Sequence, residues 1–306
     1  GVYCVRFFHD GRPRFILIDD HLPVARYSKR PRFASSKQGD ELWVSLLEKA
    51  YAKLFNSYAA IEGGLVDEAL VNITGGIGGE HISLRKELSK DAQGLWATIR
   101  RNHAAGWLMG AGSPSGSDTD VSERGIVQGH ASARLRVAEV GGHRLGQLRN
   151  PWGQTEWKGD WSDRSRLWTP RMKAQLDWSA EDDGTFWMAL VDFAENFSSL
   201  YVCRLPAPSW ETLEAKGEWR GPTAGGCCNH PATYGHNPQF LLTVTRPTHV
   251  IIALAQADVR GSGGELFPIG VSCVYNKGAR VSRLLQSHWS ADSAPFRNSR
   301  EVSLDT

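Results

Sequence analysis

Apolar residues in this chain come in short runs of two different periods, and that restricts the fold more than any other feature. Residues 41–54 have helical period. Leu42, Leu46, Ala50 and Leu54 recur at every fourth position, Trp43 and Leu47 widen the stripe, and Asp40 is placed as an N-cap. Helices are also predicted over 62–73, stopping at Gly75-Gly76, and over 84–103. Elsewhere the runs are β-prone and broken by glycine and proline. Residues 2–8 and 15–18 flank Asp10-Gly11-Arg12-Pro13 and predict a hairpin. Residues 125–140 and 144–148 predict a second one, joined at Gly141-Gly142. Residues 186–193 and 200–205 read as strands or short buried segments. The polar and basic stretch 24–39 and the Gly-, Ser- and Asp-rich stretch 110–120 read as loops. The mixture is α+β.

After a linker-like stretch, 206–218, the pattern changes. Residues 240–245, 250–254 and 269–275 are short apolar runs separated by proline and glycine, the mark of an antiparallel sandwich. The chain reaches Thr306 before such a sandwich could close.

Composition excludes several classes. The 306 residues carry 35 basic and 33 acidic side chains, a formal charge of +2, which gives no reason to expect nucleic acid as the main partner. No apolar run reaches the ~18 residues of a membrane span. The sequence carries no signal on membrane attachment by other means. The five cysteines are odd in number and irregular in spacing, which fits a reducing, intracellular and cytoplasmic setting better than a disulfide scaffold. Cys227-Cys228 has no second pair at zinc spacing. The chain opens on strand-like alternation at Gly1-Val2-Tyr3-Cys4 with no initiator methionine, so it is expected to lie inside a longer product.

Two polar residues stand at the edges of the second hairpin: His130 in Gly129-His130-Ala131, and Asn150 in Asn150-Pro151-Trp152-Gly153. In thiol proteases a histidine takes the proton of a cysteine and an asparagine amide fixes the imidazole. Trp152 would cover that bond and exclude water. A lone strand histidine is more often structural, and it is the surrounding sequence that reverses the balance.

That sequence resembles the calpain family. Asn150-Pro151-Trp152-Gly153, continuing through Trp157, Trp161 and Asp163, resembles its asparagine motif, and Gly129-His130-Ala131 its histidine motif. Residues 46–53 resemble its core helix. Thr223-Ala224-Gly225-Gly226-Cys227 with Asn237-Pro238-Gln239-Phe240 resembles the opening of the calpain-type β-sandwich. The resemblance implies a partial papain-like core followed by an incomplete sandwich. Residues 1–75 would be the remnant of the cysteine-bearing subdomain, 76–205 the His/Asn subdomain, and 206–306 the linker and partial sandwich. It implies His130 as general base, Asn150 as its orienter and Trp152 as shield. Two departures are visible. Ser132-Ala133 stands where calpains have Tyr-Ser, and no Gly-x-Cys-Trp motif is present. Cys4 precedes His130 by about the 130–150 residues of papain-like enzymes. It lies mid-strand, however, with no helix N-terminus to activate it, so the nucleophile is expected upstream of Gly1.

The resemblance also implies Ca2+ as cofactor. Glu156, Asp163 and Asp183 would be side-chain ligands, and Glu181 would offer its backbone carbonyl. Glu41 would match a ligand of a second site in the first subdomain. Thr185 stands where calpains often place a glutamate, which implies a weaker site. The expected activity is a calcium-dependent cysteine endopeptidase making limited cuts in protein substrates, with regulatory domains or subunits outside this chain. The chain alone is expected to be inactive. The competing class is a non-catalytic, calpain-like regulatory or binding protein. Most of the 12 tryptophans are expected to pack rather than bind ligand.

Overall fold

The computed structural model describes residues 1–28, 30–36, 38, 41–259, 265, 267–274, 277–282, 289–290 and 297–304. The chain divides into two compact units, and the first runs through Gly1–Leu205.

In the first unit, β1 (Val2–His9) and β2 (Arg12–Asp19) form an antiparallel hairpin with His9 opposite Arg12. The turn is therefore Asp10-Gly11 alone, both at positive φ (50° and 72°), the geometry that matches strand twist. Arg12 and Pro13 belong to the strand, not to the turn. Helix α1 (Trp43–Leu54) lies on the hairpin, where Leu46 and Ala50 meet Phe7 and Ile18. Complete burial of a side chain such as Phe7 contributes about 1.5–3 kcal/mol. The helix begins one residue past Leu42, which is its N-cap without a side-chain bond, and Leu42 and Trp43 are exposed. The apolar stripe is thus narrower than its period suggested. Asp40, the expected cap, lies outside the described residues.

Helix α2 (Val66–Thr74) ends at Gly75 as expected but starts later, after a single 3-10 turn at Ala59–Ile61. The main sheet follows. Its members are β3 (Ile77–Ser83), β4 (Leu108–Gly112), β5 (Ala131–Val140), β6 (His143–Arg149), β7 (Thr185–Ala189) and β8 (Ser199–Arg204). They pair antiparallel in the order β3-β8-β4-β5-β6-β7. Helix α3 (Leu84–Ala104) and α5 (Leu190–Asn196) supply Leu95, Trp96, Ile99 and Phe193, and Phe197 just past α5 adds to them, in the core against Leu148, Met188, Leu200 and Val202. The short α4 (Pro170–Leu176) is capped by Thr169, whose hydroxyl accepts from Met172 N at 3.2 Å.

Three expectations change here. Residues 108–112, half assigned to a loop, form a central strand. Residues 125–130 do not continue β5. The second half of 186–193 is helix. Four of the tryptophans in the 150–187 region, Trp157, Trp161, Trp168 and Trp187, are buried. Trp161, Trp168 and Trp187 form a buried cluster with Leu176, and Trp168 Nε1 donates to Ser162 O at 2.9 Å.

In the second unit, β9 (Thr248–Ala255) pairs antiparallel with β12 (Arg297–Leu304), and β10 (Ser272–Cys273) with β11 (Trp289–Ser290). Among the described residues, 240–244 pair in no ladder, and Phe240, Leu241 and Leu242 are exposed. An apolar run becomes a strand only where a second strand accepts its backbone groups. Among the described residues, no helix is long and apolar enough to cross a membrane.

Candidate active site

His130 stands immediately before β5 and Asn150 immediately after β6. The tight turn between these strands sets Val140 opposite His143 and brings the far ends together. The expected pair forms: His130 Nε2 lies 3.0 Å from Asn150 Oδ1. The protonation pattern follows from the neighbours. Asn150 Nδ2 donates to Gln154 O at 2.7 Å and Thr155 O at 3.3 Å, and the backbone N–H of Trp152 donates to Oδ1 at 3.1 Å. These contacts fix the amide orientation, so Oδ1 is an acceptor and Nε2 carries the proton. In the neutral ring, Nδ1 keeps its lone pair and is the basic atom.

Asn150 is buried, with 3% of its surface exposed, and its main chain is held by a donation to Gly184 O at 2.8 Å. The Trp152 indole sits over the imidazole at 4.6 Å between centroids and 52° between planes. Burial draws the His130 pKa below its ordinary 6.5, while the Asn150 bond and the negative charge of Asp118 oppose that shift. The ring is therefore a neutral base at pH 7.

The main chain of His130 is held on its other side by residues 113–116. Ser113 N donates to His130 O at 2.9 Å, Ser113 Oγ donates to the same oxygen at 3.0 Å, and His130 N donates to Ser113 Oγ at 2.9 Å. Gly129 N donates to Pro114 O at 2.8 Å. Gly129 has φ +57°, and a Cβ there would lie 2.2 Å from the Gly116 carbonyl oxygen, so only glycine fits before the histidine. Sequence reasoning missed Ser113. Its one signal was a Gly-Ser-Pro stretch that looks like any loop.

The acidic residues divide. Glu156, Asp163 and Asp183 are close enough to perturb one another, and Asp182, unassigned by the sequence, joins them. Burial, then the charge of Glu156 and its hydrogen bond, push the Asp163 carboxyl up to about 6. Glu156 is also raised, by burial first and by Asp182 and Asp183 next, against the bond that Gly184 N donates to its Oε1 at 2.8 Å. Asp183 Oδ1 accepts from Thr185 N, and the Glu181 carbonyl accepts from Asp183 N, each at 2.8 Å. All these donors are hard oxygens, the set a divalent alkaline-earth ion prefers. Among the described residues, however, no three His, Cys, Asp or Glu side chains converge in a metal-holding group. Glu41 is engaged separately: its Oε2 accepts from Ser36 Oγ at 2.7 Å and Trp43 Nε1 at 3.3 Å.

Among the described residues of the first unit, neither Cys4 nor Cys203 hydrogen-bonds His130. Cys4 is exposed in mid-β1, whereas Cys203 is fully buried in β8 with Sγ 3.8 Å from Thr74 Oγ1, the setting of a structural thiol.

An α+β core carrying an oriented histidine–asparagine pair under a tryptophan defines the papain-like thiol-protease class. Residues 1–204 match the model of the calpain family cysteine protease, and residues 215–306 that of the calpain large subunit, domain III. The chain belongs to the calpain family. It is 43% identical over 327 residues to the calpain-type cysteine protease DEK1 of Arabidopsis thaliana, and 42% identical to ADL1 of Oryza sativa subsp. japonica. Each alignment covers all of this chain and 15% of the relative. Against human calpain-8 it is 40% identical over 259 residues, which cover 78% of this chain and 36% of the relative. The chain thus spans about 15% of the length of the first of these curated relatives.

Proposed function

We propose that this chain carries the general-base half of a cysteine-type endopeptidase that cuts protein substrates. The observation that carries the reading is the His130 Nε2–Asn150 Oδ1 bond under the Trp152 ring. With Nε2–H held by Asn150, Nδ1 is free to take the proton of a cysteine thiol. The thiolate then adds to a peptide carbonyl. The imidazolium, its charge facing Asn150 Oδ1, returns the proton to the departing amine, and water later hydrolyses the thioester with His130 again as base. The thiol belongs to a cysteine of the whole protein outside residues 1–306: the sequence has no Gly-x-Cys-Trp motif, and neither Cys4 in mid-β1 nor the buried Cys203 has the setting of an activated nucleophile. The chain by itself is accordingly inactive.

Calcium dependence belongs to the same reading. Glu156, Asp163 and Asp183, with the Glu181 carbonyl, would hold the ion, and Glu41 would belong to a second site. When bound, Ca2+ supplies positive charge that removes the mutual repulsion of these carboxylates. The free thiols of Cys4, Cys227, Cys228 and Cys273 support an intracellular, reducing setting.

The test compares casein cleavage by the full-length protein, its His130→Ala variant and the 306-residue chain, with calcium or chelator. Thiol-dependent cleavage by the full-length protein that needs His130 and calcium supports the reading. Cleavage by the 306-residue chain, or a full-length protein indifferent to His130→Ala, overturns it.

A further inference from the structure

We propose that Ser113 is a positioning residue for His130, a role that rests on the protease reading above. Ser113 lies one residue beyond the end of β4 and is buried, with 9% of its surface exposed. Its hydroxyl does two things at one neighbour: Oγ accepts from His130 N at 2.9 Å and donates to His130 O at 3.0 Å. With the third bond, Ser113 N to His130 O at 2.9 Å, both polar main-chain atoms of the histidine are tied to one residue. The segment is not part of a β-ladder. The β4–β5 register ends at Gly112 opposite Ala131, so His130 lies just past the last sheet pair and needs another hold.

That hold matters because the imidazole has a narrow target. Its Nε2 must reach Asn150 Oδ1, which is itself fixed by the Gln154, Thr155 and Trp152 contacts and by Gly184. With one partner immobile, freedom in the main chain of His130 converts directly into loss of the hydrogen bond and of the aim of Nδ1. Misplacement of a base by about 1 Å can cost about 100-fold in rate. A hydroxyl suits the place because it can accept and donate at once. Alanine would leave His130 N without an acceptor in a half-buried site.

A built-in control exists. Ser198 Oγ donates to Gly112 O at 3.0 Å and Ser113 O at 3.2 Å, so it ties down the same strand end without bonding His130. If Ser113 merely closed off the strand, Ser113→Ala and Ser198→Ala would act alike.

The experiment follows His130 by imidazole 15N NMR in the 306-residue chain, for the wild type, Ser113→Ala, Ser113→Thr and Ser198→Ala. In the wild type the Nε2–H resonance is protected and the ring holds one tautomer. Ser113→Ala is expected to lose that protection and mix tautomers, whereas Ser113→Thr, which keeps the hydroxyl, and Ser198→Ala retain the wild-type pattern. In the full-length protein, Ser113→Ala is expected to lower kcat about tenfold or more with little change in KM. An unaltered His130 spectrum in Ser113→Ala, or an equal change in Ser198→Ala, overturns the proposal. Should Ser113→Thr unfold, the comparison of the two alanine variants decides alone. A full-length protein active without His130 would sink the protease reading, while the NMR result would still report whether Ser113 orients the ring.

Discussion

The indole of Trp152 stands 4.6 Å from the His130 imidazole, tilted by 52°, although Trp152 itself is 45% exposed. A side chain that is nearly half exposed thus lies against the ring of the His130–Asn150 pair. Because burial is the main cause holding the His130 pKa below 6.5, Trp152→Ala is expected to raise it. An NMR titration of the His130 ring checks this, and a midpoint that fails to rise would show that the indole does not shield the pair.

Asn150 acts in the opposite sense. Its bond raises the His130 pKa, so Asn150→Ala is expected to lower it further in the same titration. The buried amide also satisfies the carbonyls of Gln154 and Thr155. Removing it strands acceptors at a cost of about 1–3 kcal/mol, readable by urea unfolding.

The Asp163 carboxyl, raised to about 6 from an ordinary 3.8, weighs on stability with a definite sign. A group that binds its proton more tightly when folded favours the folded state while protonated. Its contribution is fully present below 3.8 and lost as pH rises through about 6. In chelator at pH 7, Asp163→Asn is therefore expected to raise Tm by about 2 °C, with no gain below pH 3.8. Calcium is expected to stabilise the wild type more than the variant. Equal calcium shifts would remove Asp163 from the ligand set.

Arg134 is buried in β5 with its guanidinium 5.0 Å from the Phe193 ring centre, and its Nε and Nη1 meet no acceptor among the described residues. Burial alone pushes its pKa down to about 9. Replacing a buried ion by an apolar side chain of similar volume often stabilises by about 1–4 kcal/mol, and Arg134→Met is expected to raise Tm accordingly. The charge of Arg134 is also one cause, after burial, of the lowered His103 pKa, so that value should rise in the same variant.

Much of the site was legible because its chemistry is local. The Gly141-Gly142 turn starts the β5–β6 pairing, which, with a one-residue register shift between Arg134 and Arg136, brings His130 and Asn150 to one end of the hairpin. The Leu46 and Ala50 spacing found the buried face of α1. Strand β4 was hidden because its glycines suggest a loop. In the fold, a Cβ at Gly110 would lie 2.4 Å from Val66 Cγ1, so the glycine serves close packing across α2. Residues 240–244 failed the other way, since they are apolar enough for a strand but pair with none among the described residues.

Residue type and spacing along the chain determined which groups could do proton chemistry, because a histidine and an asparagine flanking a tight hairpin come to the same end of it when the hairpin forms. Tertiary structure alone decided that Ser113 grips that histidine from 17 positions away. It also decided that Asp163 feels the charges of Glu156, Asp182 and Asp183, and that Arg134 is buried with no ion-pair partner among the described residues. The reason is physical: hydrogen bonds and charge–charge energies depend on distance in space. Sequence separation predicts that distance only within a turn, a helix face or a paired strand.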